Sequence, residues 1–142
     1  MLVMATSCGP HSLEEFEEEG EGVMRSLIQE LRVIHTREQL LAAYGRLQRQ
    51  FDRLVIIMIA AEEFKHSHAE WEKEEFVRQN HDLSDQLRIE LNRLYRLEGG
   101  RQIIEKCQEK ALHRLDAFEK KLAKQNADKR LSKLNAKVLE RV

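Results

Sequence analysis

Leu40, Tyr44, Leu47, Phe51, Leu54, Met58 and Ala61 recur at alternating intervals of four and three residues. That rhythm keeps apolar side chains on one side of an α-helix and brings them against other helices. The chain has one proline, Pro10, so everything after it lacks the strongest helix breaker, and its glycines number only six. A chain of 142 residues suits one domain, and 42% apolar with 35% charged residues is the mixture that amphipathic helices require. The expected fold is all-α, an antiparallel three- or four-helix bundle with long coiled-coil-like helices.

Four helical segments follow from capping and periodicity. The first runs from about Ser12 to Ile34, with Ser12 and Glu15 as a capping box and Met24, Leu27, Ile28, Leu31 and Ile34 as its apolar face. Thr36 and Gln39 form a second box, opening a helix that extends to about Gln79. Within it, Leu54 to Ala61 reads LVIIMIAA, an eight-residue run far shorter than the about 20 residues of a membrane span. The run is expected to be the all-round buried middle of that helix, with Phe51, Leu54 and Met58 at the bundle's centre. Asp82 is placed to cap a third helix carrying Leu83, Leu87, Leu91 and Leu94. After Gly99-Gly100, Ile104, Cys107, Ala111, Leu115, Phe118 and Leu122 continue an apolar seam, and Leu131, Leu134 and Val138 form a thinner stripe among lysines. The glycine pair marks a turn, or alternatively lies within one long helix, because glycine costs only about 1 kcal/mol relative to alanine there.

Charge is polarised along the chain. Residues 1–35 hold seven acids and two bases, 36–100 twelve and ten, and 101–142 six and twelve. Two readings stand: first and last helices complement each other within the bundle, or the basic end meets an acidic partner.

Catalytic signatures are poor, and no enzyme is expected. The serines lack a Gly-x-Ser-x-Gly context, and no glycine-rich loop is placed to cradle phosphate. Glu63 and His66 have the Glu-x-x-His spacing that resembles the metal motif of ferritin-like bundles, and Glu62, His66 and His68 offer a surface alternative. A two-metal site needs a second such motif, and none of His11, His35, His81 or His113 has a glutamate three residues before it. No metal and no cofactor are therefore expected. Lysines from Lys106 to Lys137 are interspersed with Glu105, Glu109, Asp116 and Glu119 and have few aromatic neighbours, so nucleic acid is not the expected partner. Residues 120–137 are more consistently basic and suit anionic lipid or an acidic protein. Cys107, inside the seam, is expected to be a small buried hydrophobe.

At the start, Met1-Leu2-Val3-Met4-Ala5-Thr6-Ser7-Cys8 runs through small residues into a cysteine. The segment resembles the end of a bacterial lipoprotein signal, whose lipobox of Leu-(Ala/Ser)-(Gly/Ala)-Cys makes the cysteine the lipidated first residue. Ala5 stands where leucine is usual, and a basic region with most of the apolar region would have to come from an upstream start. The resemblance implies acyl chains on Cys8, a tether over Gly9 to Ser12, and attachment to an envelope membrane, the outer one because no aspartate follows the cysteine. The alternative is a short apolar N-terminus with an incidental cysteine.

Three regions result: 1–11 as signal remnant or tether, 12–125 as the bundle, and 126–142 as a basic helical extension. The expected role is a non-enzymatic, lipid-anchored envelope protein that works through a protein partner or a homo-oligomer. The alternative is a cytoplasmic helical adaptor or secretion-chaperone-like protein, with a metal-binding bundle behind both.

Overall fold

The capping hydroxyls of both boxes are engaged, and the box of Thr36 and Gln39 closes in full. Ser12 Oγ accepts from the Glu15 amide at 3.2 Å, and Thr36 Oγ1 accepts from the Gln39 amide at 3.1 Å. Gln39 Oε1 in turn accepts from the amides of His35 and Thr36 at 2.7 and 3.3 Å, so donors left open at the helix start are satisfied locally. In the computed structural model, which describes residues 12–67 and 81–141, these boxes begin α1 (Leu13–Arg32) and α2 (Arg37–Ser67). Two more helices follow, α3 (His81–Tyr95) and α4 (Gly100–Glu140), and there is no strand among the described residues. The fold is an all-α helical bundle, as the periodicity requires. The part of the second helix expected beyond Ser67 falls outside the described residues. Asp82 lies inside the first turn of α3 and accepts from Gln86 at 3.1 Å.

Consecutive helices run antiparallel. Glu30 meets Arg46 while Glu19 meets Arg53, 3.5 Å apart, so α1 and α2 count in opposite directions. Parallel helices also sit side by side: Tyr44 faces Cys107 and Asp52 faces Arg114, which aligns α2 with α4. The order around the bundle is α1, α2, α4, α3, with α1 and α4 at opposite corners across the core. Complementarity between the acidic first helix and the basic last helix is thereby overturned. The acids of α1 pair with Arg46 and Arg53 of α2, and the bases of α4 that pair across the bundle, Lys110 and Arg114, converge on Asp52 of α2. Arg114 holds the Asp52 carboxylate at 2.8 and 3.2 Å, and this bond keeps its pKa below the ordinary aspartate value.

The core gathers Leu27, Leu31, Leu40, Leu47, Leu94 and Ile104 from all four helices, each completely buried. Of the expected seam of α4, Ile104, Cys107 and Ala111 are buried, while Leu115, Phe118 and Leu122 are half-buried. The run 54–61 is not buried all round, however. Phe51 and Ile57 are buried, Leu54 is half-buried, and Ile56 and Met58 are 43% and 49% exposed. The reason is positional, since α2 is flanked by α1 and α4 and is not enclosed, which leaves one side of the run without a packed neighbour among the described residues.

Arg93, on α3, closes the far end of α1. Its guanidinium donates to the carbonyls of Leu31 and Ile34 at 2.7 Å each and to Glu90 at 2.9 Å. The Leu31 carbonyl in the last turn of α1 also accepts from the Ile34 amide at 3.1 Å, and Ile34 lies just beyond the helix, so one side chain reinforces the cap and ties two parallel helices together.

Candidate protein-interaction surface

The sequence places its chemical candidates in different regions. Cys8, the expected lipidation site, falls outside the described residues, as does His68. Glu63 and His66 are exposed on the last turns of α2, where with Ser67 they border a shallow hollow against Phe118, Lys121, Leu122 and Gln125. Glu62, the other carboxylate near His66, is paired with Lys65 at 3.0 Å. Among the described residues no group of three or more His, Cys, Asp and Glu side chains converges as a metal site, and no helix is long and apolar enough to cross a membrane.

Cys107 is completely buried, its sulfur 3.8 Å from the Tyr44 carbonyl. Burial raises the thiol pKa to about 11, so at neutral pH it is a protonated, small apolar side chain.

The open apolar surfaces among the described residues include a pair at one end of the bundle. One is a groove of about 250 Å³ at the end of the bundle where α1 begins and α2 ends. Leu13, Phe16, Gly20 and Met24 of α1 form one wall, Leu54, Ile57, Met58 and Ala61 of α2 the other, and Leu83 of α3 closes one end. Phe16 and Phe64, with ring centroids 5.6 Å apart, join the two walls. A Cβ at Gly20 would make an ordinary van der Waals contact with Ile57 Cγ2 at 3.7 Å, so the two walls approach closely at this point. Glu17 and Glu21 lie along one rim, with Lys65 at the α2 end.

The other surface is the projecting end of α4. Its last neighbours on α2 are the residues of the Glu63–His66 hollow, which ends at Gln125. Residues 126–140 continue as helix for about 23 Å and are exposed throughout. Leu131, Leu134 and Val138 are 58%, 58% and 63% exposed, and with Ala127 they keep the four-three rhythm. At about 100° per residue, Arg130 and Lys137 fall along one edge of this stripe and Lys124 along the other.

Sequence reading located the stripe of α4 and its basic flanks, because both repeat along one helix. It missed the groove and Arg93, which depend on residues far apart in the chain being brought together. No protein-family model, curated protein or solved structure matches the chain significantly.

Proposed function

We propose that this protein is a non-enzymatic helical scaffold that acts through protein–protein contact, with the basic arm formed by the end of α4 as its principal contact surface. The observation that carries this reading is the exposed Leu131, Leu134 and Val138 stripe on a helix that nothing packs against among the described residues. A contiguous apolar stripe in water is disfavoured unless a partner covers it, and a polar, charged border is the usual frame of such a contact. A photo-crosslinking residue placed at Leu134 in cells should give discrete protein adducts that disappear when Leu131 and Val138 are changed to glutamate. A smear or no adduct would overturn the reading.

Attachment to an envelope membrane through Cys8 belongs to the same proposal, supported by the run of small residues into that cysteine. A single myristoyl-like chain binds a bilayer only marginally, at about 10⁴ M⁻¹, so a diacyl or triacyl cysteine is what stable attachment requires. Protein made from its natural start in a bacterial host should incorporate labelled fatty acid and sediment with membranes, and Cys8→Ser should abolish both without changing the helical circular dichroism. If the unchanged chain carries no label, the scaffold is a cytoplasmic adaptor using the same surfaces.

A further inference from the structure

We infer that the partner of the α4 arm is a second copy of this chain, the arm of each protomer lying in the α1–α2 groove of the other. The inference rests on the scaffold reading and specifies its partner. The two surfaces are complementary in shape. The apolar wall of the groove spans Leu13 to Met24 and the stripe of the arm spans Ala127 to Val138, each about 17 Å of helix.

They are also complementary in charge. Glu17 and Glu21 line one rim of the groove, and Arg130 and Lys137 border the stripe. Glu14 and Glu18 extend the negative field of α1 and have no ion-pair partner among the described residues. Two arms packed on each other would instead set lysine against lysine, which disfavours a simple paired-arm coiled coil.

The arm cannot make this contact in its own chain. α1 and α4 occupy opposite corners of the bundle, and the arm leaves straight past its end. Both surfaces lie at that same end: Phe16 packs on Phe64 near the close of α2, where α4 also parts from its last neighbours. Two protomers facing each other end to end, related by a twofold axis, would therefore place each arm alongside the other's groove. The exchange is reciprocal and closes at two copies.

Sedimentation equilibrium of the full chain should show a dimer that weakens as salt rises, because the rim contacts are exposed charges. Arg130→Glu with Lys137→Glu should weaken self-association about tenfold or more, and so should Glu17→Lys with Glu21→Lys. Mixing the two doubly reversed proteins should restore dimers, since each then offers a complement to the other's altered surface. Circular dichroism of each variant verifies that it folds. A monomer at all salt concentrations, a dimer indifferent to both reversals, or failure of the mixture to reassociate would overturn the inference. A monomer in solution whose Leu134 cross-links to a different protein in cells would remove the second copy while leaving the scaffold reading intact. If neither self-association nor a cellular adduct is found, both fall, and segments 1–11 and 68–80 are left as the occupants to test.

Discussion

Leu47→Ala should lower the stability of the bundle by about 2–5 kcal/mol, the range for emptying a leucine from a packed core. Leu47 is completely buried on α2 and belongs to the same apolar cluster as Leu27 of α1, Leu94 of α3 and Ile104 of α4. Removing its isopropyl group leaves space between several helices at once, and long packed helices relax poorly into such a gap. Met58→Ala, on the same stripe but at 49% exposure, should change stability by less than about 1 kcal/mol in dilute monomer. Urea denaturation checks both through a shift of midpoint at unchanged slope. Equal losses at the two positions would mean that the stripe is enclosed along its whole length and that the groove is not a surface. At concentrations favouring the dimer, Met58→Ala should become more costly, because the partner's arm then covers it.

What was legible in the sequence was whatever repeats or closes locally. The boxes at Ser12 and at Thr36 with Gln39 are satisfied within three or four residues, so composition at those positions was enough to find them. Ile104, Cys107 and Ala111 are buried for the same reason, since a helical period carries burial from one turn to the next. Periodicity says that a face is covered, and is silent on what covers it. The order of helices around the bundle was therefore hidden, and with it the fact that the acidic and basic helices stand at opposite corners. The run from Leu54 to Ala61 shows the same gap from the other side. Its hydrophobicity indicates a preference for burial, but actual burial depends on neighbours, and among the described residues α2 packs beside α1 and α4. Arg93 was invisible because the carbonyls it caps, those of Leu31 and Ile34, lie about sixty residues earlier. The groove combines both difficulties, being assembled from half-exposed positions on different helices.

The glycine pair left open whether residues 83–125 make one helix or two, and the geometry of the turn answers it with a second large effect. Gly99 has φ +69°, in the left-handed region, and breaks the chain between α3 and α4. Gly100 then passes so near the end of α3 that a Cβ would stand 2.0 Å from the Leu94 carbonyl oxygen and 3.3 Å from Leu97 Cβ. The oxygen cannot simply withdraw. It accepts from the Leu97 amide at 3.1 Å, Leu97 O accepts from the Gly100 amide at 2.9 Å, and the Leu94 side chain is completely buried. Gly100→Ala must therefore push backbone against a packed core, and should cost about 3 kcal/mol, the upper part of the range for overpacking. Gly99→Ala should cost about 1–2 kcal/mol from left-handed strain alone, with no clash against backbone. The order of the two effects is the informative result, because helix propensity by itself would make both substitutions stabilising. If Gly100→Ala raises the denaturation midpoint, the tight approach to Leu94 is absent and the third and fourth segments join as one continuous helix. α4 would then lose the turn that folds it back beside α2, and the arm would no longer project from the end where the groove lies.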